Sequence, residues 1–145
     1  MKNRKVLLST LWVVVMFNMI FADILSFITP GVLAEMMTGY AGEIEVTQGL
    51  LLIFALLLEI PIIMILLSRV LNYQANRWAN IIASIITILF VVGGGSTYLH
   101  YIFFASIEVI CMLLIIWYAW TWTKPEEQRS PVSSTQNLSL QNEHA

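Results

Sequence analysis

The chain has 145 residues, of which 59 % are hydrophobic and 11 % charged, and this balance excludes a soluble globular protein. Its net charge of −2 and its seven basic residues, which form no basic stripe, exclude nucleic acid as a partner. One cysteine, Cys111, excludes an internal disulfide and a Cys-x-x-Cys redox pair. The composition therefore predicts a single integral membrane domain.

Four apolar segments follow one another along the chain, each close to the roughly 20 residues that a helix needs to cross a bilayer. They cover residues 6–28, 49–67, 78–97 and 98–122. The sequence thus predicts an all-α fold, a bundle of four transmembrane helices within a membrane domain of residues 1–123. Residues 124–145 are rich in Ser, Gln and Asn and are predicted to form a disordered tail.

The basic residues predict the orientation of this bundle. Three precede the first span, two lie between the second and third, and two follow the fourth: Lys2, Arg4, Lys5, Arg69, Arg77, Lys124 and Arg129. The other two loops contain no Lys or Arg. Because basic loops are retained in the cytoplasm, we expect both termini there and a multi-pass protein of the bacterial inner (plasma) membrane.

The loop after the first span is acidic and contains a helix signal. Thr29 followed by Pro30 resembles an N-cap with a first-turn proline. We expect a short interfacial helix that ends near Gly39.

Three acids lie inside the apolar spans, where a charge costs at least about 2.5 to 3.5 kcal/mol. Such groups face the bundle interior, pair with one another or stay protonated. At a rise of about 1.5 Å per residue, Glu59 and Asn18 fall near the midplane, and Glu108 a few Å to its outer side. On the same scale Asp23 lies about 9 Å outward, and His100 lies close to the outer surface. These positions predict a polar column that opens to the outside.

Glu59 is surrounded by apolar residues, and a proline follows it closely. Pro61 lacks a backbone donor, frees the carbonyl of Leu57 and is predicted to act as a hinge beside the carboxyl. One interpretation is a carboxyl that takes up or releases a proton as a ligand comes and goes. The other is a structural carboxyl that is hydrogen-bonded to Asn18 or to a hydroxyl.

Glu108 shares a helical face with Tyr101, seven residues earlier. An aromatic-lined acidic pocket of this kind would suit an organic cation or a small apolar ligand. The alternative is a carboxyl that is bonded to a neighbouring helix. His100 is the only histidine outside the tail and has no metal-ligand spacing, so we expect no metal and no cofactor. We expect it to tune a nearby carboxyl instead.

The third span carries a polar stripe, Asn80, Ser84 and Thr87, at helical spacing. Small and hydroxyl residues allow helices to approach closely, so this stripe favours a helix interface over a ligand site.

The end of the third span contains Gly93, Gly94 and Gly95. The helical run before them has only about 15 residues, or roughly 22 Å, which is too short for the hydrocarbon core. The glycines are therefore predicted to lie within the outer leaflet as a flexible gate. The alternative is a continuous helix in which they permit tight packing.

The motifs LLSTLW, RWANII and GGGSTYLHYIFFASIE resemble an uncharacterised family of small four-span bacterial membrane proteins. The resemblance covers most of the chain outside its tail and implies the four-span topology, without implying a site. The DoxX-like membrane proteins have four spans as well, and the similarity to them is only distant.

Three functions fit these residues. The first is a binding or transport bundle, dimeric or part of a membrane complex, that takes a small hydrophobic or cationic ligand from the outer leaflet and couples its occupancy to protonation of Glu59 or Glu108. The second is a membrane enzyme that acts on a lipid-like or quinone substrate, with Glu59 or Glu108 as general acid or base. The third is a structural subunit of a membrane complex whose acids bond to a partner helix.

Overall fold

The structure is a computed structural model that describes residues 2–123, so the predicted tail lies outside the described residues. In chain order the elements are α1 (Lys2–Ile28), α2 (Val32–Met37), β1 (Tyr40–Ala41), β2 (Ile44–Glu45), α3 (Gln48–Val70), α4 (Tyr73–Gly93) and α5 (Leu99–Trp120). The helices α1, α3, α4 and α5 are long and apolar enough to span a membrane. This confirms the predicted all-α fold with four spans.

The helix α4 begins five residues before the predicted start at Trp78. Leu71 and Asn72 alone separate it from α3. Asn76 Nδ2 donates a hydrogen bond of 2.6 Å to the carbonyl of Ser68, which ties the first turn of α4 to the last turn of α3. This bond pairs the amide of Asn76, which is fully buried in the first turn of α4.

The earlier start gives α4 21 residues, which correspond to a rise of about 31 Å. A helix of this length is long enough to cross the hydrocarbon core. The helix ends at Gly93, and Gly94 N donates to the carbonyl of Phe90 at 2.8 Å. The helical run before the glycines is thus longer than the sequence predicted, and the depth of the glycines within the outer leaflet stays a prediction.

The four spans form a ring in which each helix packs against two antiparallel neighbours. α1 packs against α3 and α5, and α4 packs against the same two helices. Side-chain bonds mark these contacts, with Ser9 Oγ 2.8 Å from the carbonyl of Ile65 and Tyr101 Oη 2.9 Å from that of Val91. We call the end where α1 begins and α5 ends the terminal end, and the opposite end the loop end.

A buried polar cluster, Trp12, Ser68, Asn76 and Asn80, crosses the centre of the bundle toward its terminal end. Trp12 Nε1 donates to Asn80 Oδ1 at 2.8 Å, which links the diagonal pair α1 and α4. Ser68 Oγ donates to the same oxygen at 3.1 Å, and Asn80 Nδ2 donates to the carbonyl of Asn76 at 2.8 Å. All four residues are fully buried. Because a bilayer supplies no water, these mutual bonds satisfy groups that would otherwise be unpaired.

An apolar core surrounds this cluster, and the outer surface is apolar as well. The core contains Leu8, Val15, Met19, Met64, Met112 and Ile115. Large hydrophobic side chains are also exposed along all four spans. A bundle that is apolar on both sides is the arrangement expected for a protein with lipid as its solvent.

A small exposed unit closes the loop end between α1 and α3. Here α2 begins after Gly31, whose φ of 91° lies in the left-handed region, and not after the predicted cap at Thr29. The hairpin of β1 and β2 pairs antiparallel, and Glu35 Oε1 accepts a hydrogen bond of 2.8 Å from the backbone of Gly42 in its turn. The helix α2 ends at Met37, close to the predicted end near Gly39.

The central acceptor of the polar cluster is Asn80 Oδ1, which receives hydrogen bonds from Trp12 and Ser68. We expect Asn80→Leu to lower the free energy of unfolding by about 1 to 2 kcal/mol, because the donors of Trp12 and Ser68 then remain unpaired. Thermal unfolding in mild detergent measures this change. The matched control is Ser106→Ala, since Ser106 is exposed and bonds only to Ile102 of its own helix. Equal midpoints for the two variants would contradict a stabilising role for the cluster.

Candidate functional site

Glu108 is the only buried acid among the residues that the structure describes. It lies on the inward face of α5, one turn before Cys111 and Met112, and only 3 % of its surface is exposed. Its Oε1 has no hydrogen-bond partner among the described residues. Buried polar atoms are normally paired, so an unpaired carboxyl oxygen within the bundle needs an explanation.

Ser84 on α4 lies at the depth of Glu108. The bond between Tyr101 and the carbonyl of Val91 fixes the antiparallel register of α4 and α5. Ser84 comes seven residues before Val91 and Glu108 seven residues after Tyr101, which places the two at one level. Ser84 is fully buried, and its Oγ also has no partner among the described residues. Two unpaired polar groups therefore share one depth on neighbouring helices.

Asp23 adds a second carboxyl on the side of the loop end. Ser26 Oγ and His100 Nε2, 3.3 Å apart, align α1 with α5. In that register Asp23 lies about five residues, or roughly 7.5 Å, closer to the loop end than Glu108. The carboxyl groups of Asp23 and Glu108 are near enough to interact electrostatically, and both interact with Tyr101. Asp23 is exposed and Glu108 is buried, so the two carboxyls lie at successive depths from the loop end toward the interior.

Tyr101 lies at the edge of a groove of about 460 Å³ between the end of α4 and the start of α5. The groove opens outward and is lined mostly by apolar side chains, among them Val91, Val92, Ile102, Ala105 and Val109. Glu108 is not among the residues that line this groove. Tyr101 lines the groove and also interacts electrostatically with Glu108 and Asp23.

The glycine segment keeps the start of α5 close to the end of α4. A Cβ at Gly95 would lie 3.1 Å from the carbonyl oxygen of Val92 and 3.7 Å from Cε1 of Tyr101. A Cβ at Gly94 would lie 3.2 Å from the carbonyl oxygen of Phe90, whereas Gly93 has open space around it. Glycine at 94 and 95 thus allows a tight connection between α4 and α5. The role of this connection as a gate stays a prediction.

Two of the other predicted site residues are bonded away from the carboxyl groups. Asn18 is half-buried, and its Nδ2 donates to the carbonyl of Val14, within its own helix, at 2.8 Å. The contacts of His100 are with Ser26 and with the ring of Tyr98, whose centroid lies 5.6 Å away. Both residues therefore border the site, Asn18 beside it and His100 at the loop end.

The structure separates Glu59 from the other two acids. Glu59 is exposed on the outward face of α3, whereas Pro61 is buried on the inward face. The helix α3 is continuous from Gln48 to Val70, with Pro61 inside it. The predicted column that would join all three acids is thus reduced to Asp23 and Glu108.

The arrangement provides negative charge and hydrogen-bond acceptors but little other chemistry. No group of three His, Cys, Asp or Glu side chains within residues 2–123 is placed to hold a metal ion. Cys111 is buried one turn from Glu108 and lies close enough to interact with it electrostatically. Two carboxyls at different depths, with a hydroxyl at the depth of the deeper one, are suited to binding a cation or a proton.

Sequence reasoning missed the partners of the polar stripe on α4. Asn80, Ser84 and Thr87 are all buried, but Asn80 bonds across the bundle to Trp12, whereas Ser84 Oγ has no partner among the described residues and lies at the depth of Glu108. The spacing of the stripe shows that it shares one face. It does not show which part of that face lies opposite the acid of another helix.

Comparison with known families gives one match. The model of DUF6326, a family of unknown function, matches residues 1–129. The chain belongs to this family. No curated protein and no solved structure matches the chain, and no similarity to DoxX-like proteins is shown. Family membership is consistent with the resemblance to an uncharacterised family and assigns no activity to the site.

Because the carboxyl of Glu108 is buried without a partner for Oε1 among the described residues, we predict that it lowers the free energy of unfolding. We expect Glu108→Met to raise the free energy of unfolding by about 1 to 2 kcal/mol, since it removes a buried polar group that has no partner. Thermal unfolding in mild detergent again provides the measurement. Asn80→Leu serves as the opposite control, because it removes a buried polar group that is fully bonded. A loss of stability in Glu108→Met would mean that the carboxyl holds the helices together.

Proposed function

We propose that the protein binds a small hydrophobic or cationic ligand within the membrane and transports it, with binding coupled to protonation of Glu108. The observation that carries this proposal is the buried Oε1 of Glu108, which lacks a hydrogen-bond partner among the described residues. A carboxyl in such a place favours a cation or a proton as its missing partner.

The position of Asp23 supports entry from the loop end. Asp23 is exposed and lies about 7.5 Å closer to that end than Glu108. A cation attracted first by Asp23 would gain a second attractive charge as it moves inward, in surroundings where charges interact more strongly than in water. Ser84, at the depth of Glu108, offers an oxygen to complete the coordination.

Cation binding is coupled to protonation because a cation and a proton compete for the carboxyl of Glu108. An ionised Glu108 attracts a cation, whereas a protonated Glu108 does not. Protonation therefore weakens cation binding, and release of the cation favours uptake of a proton. Alternation between the two occupants would exchange a cation for a proton across the membrane.

The structural support for an enzyme is weaker. His100 would be the natural proton-transfer partner of a carboxyl, but its contacts are with Ser26 and Tyr98. The alternative of Glu59 as general acid or base would place the chemistry on the outward face of α3. Neither arrangement joins a base to a second catalytic group.

Ligand binding can be tested with tetraphenylphosphonium as the probe cation. Isothermal titration calorimetry of the full chain in mild detergent should show binding that weakens as the pH is lowered, and Glu108→Gln should weaken it at least about tenfold. The matched control is Glu59→Gln, the same substitution on the outward face, which should bind like the original chain. Equal binding by Glu108→Gln, or loss of binding only in Glu59→Gln, would contradict this site.

We also infer that both termini lie in the cytoplasm and that the membrane is the bacterial inner membrane. Arg4 and Lys5 at the start of α1, Arg69 at the end of α3 and Arg77 at the start of α4 lie at the terminal end. Short basic segments are retained on the cytoplasmic side during insertion. The acidic loop end would then face outward.

Reporter fusions test this orientation. A fluorescent protein fused after Ala145 should fluoresce, because it folds in the cytoplasm, and alkaline phosphatase inserted after Gly42 should be active outside. Alkaline phosphatase fused after Ala145 should be inactive, which provides the control. The reverse pattern would place the termini outside.

A further inference from the structure

The outward face of α3 carries a carboxyl at its exact middle. Eleven residues of α3 precede Glu59 and eleven follow it, because the helix runs from Gln48 to Val70. Glu59 is exposed and forms no hydrogen bond or ion pair with any residue that the structure describes. In a membrane this position faces lipid tails, which offer a carboxyl no hydrogen bond.

The residues around Glu59 have the spacing of a helix-packing seam. Along this face the intervals alternate between four and three residues, as at the a and d positions of a coiled coil. The seam consists of Leu52, Leu56, Glu59, Ile63, Leu66 and Val70. Its five apolar members are between 45 % and 69 % exposed, so no element of the described chain covers the seam.

We propose that this seam is the interface of a two-fold symmetric dimer in which the carboxyl of Glu59 hydrogen-bonds to the partner subunit's Glu59. The axis lies along the membrane normal, so the two α3 helices run parallel and bring equal depths together.

The choice of a second copy follows from symmetry and from the chemistry of a carboxyl. Residues near a two-fold axis meet the same residues of the partner. A protonated carboxyl is both a donor and an acceptor, so two copies of Glu59 are complementary to each other when at least one is protonated. A single polar residue within an apolar seam is also a known means of fixing register and the number of helices.

The basic residues that the structure describes do not provide an alternative partner at this depth. Arg69 is the nearest in α3, and it lies ten residues, or about 15 Å, toward the terminal end. Arg4, Lys5 and Arg77 lie at the same end. In a parallel pair of α3 helices, the group that reaches Glu59 is therefore Glu59 of the partner subunit.

Two substitutions at one position separate hydrogen bonding from simple apolar packing. In phosphatidylcholine vesicles, with association measured by energy transfer between labelled full-length chains, Glu59→Leu should associate about tenfold more weakly. Glu59→Gln should associate like the original chain, because an amide also donates and accepts. Glu108→Gln should leave association unchanged, which keeps this proposal separate from the ligand site.

Cross-linking tests the geometry independently. In a Cys111→Ala background, Ile63→Cys on the seam should form a disulfide between two copies when oxidised in the membrane. Leu113→Cys, which is 54 % exposed on the outward face of α5, is the control and should not. The proposal would be overturned if the original chain and all variants are monomeric in the vesicles. It would also be overturned if Glu59→Leu leaves association unchanged, or if the two cysteine variants cross-link equally.

Discussion

The hydrocarbon core of a membrane contains no water to pair with polar groups, and this constraint governs the whole structure. Backbone groups are satisfied by the helices themselves. Polar side chains must therefore find partners inside the bundle, and most of those near the terminal end do. Trp12, Ser68, Asn76 and Asn80 bond to one another, and Ser9 accepts from Arg69 Nε at 2.9 Å while it donates to the carbonyl of Ile65.

The two ends of the bundle differ as a result. At the terminal end, Lys5 donates to the carbonyl of Leu71 at 2.6 Å, and the hydroxyl of Tyr73 donates to the carbonyl of Trp122. These bonds join α1 to the turn between α3 and α4, and α4 to the residues after α5. At the loop end there are fewer side-chain hydrogen bonds between helices. The half of α3 near this end is exposed over residues 51–56. Side-chain hydrogen bonds therefore hold the helices together mainly at the terminal end.

Two acids depart from the rule of internal pairing, and they do so in opposite directions. Glu108 is buried in the bundle at the depth of Ser84, and its Oε1 has no hydrogen-bond partner among the described residues. Glu59 is exposed and points away from the bundle. This difference is why one residue supports a ligand site and the other an interface between copies.

The sequence by itself determined the number of spans, the end at which the basic residues lie and the identity of the acids within the apolar segments. These features depend on local composition and on a rise of about 1.5 Å per residue, both of which are readable along the chain. Hydropathy placed the start of the third span at Trp78, whereas α4 begins at Tyr73 and its first turn contains the polar Asn76, which is bonded to the carbonyl of Ser68 on α3. Only the tertiary structure decided which acids share a site. Helical spacing shows which residues lie on one face, but the neighbour of that face depends on the order of the helices and their rotation. For this reason Glu59, at the middle of its span, could not be separated from Glu108 before the ring of four helices was known.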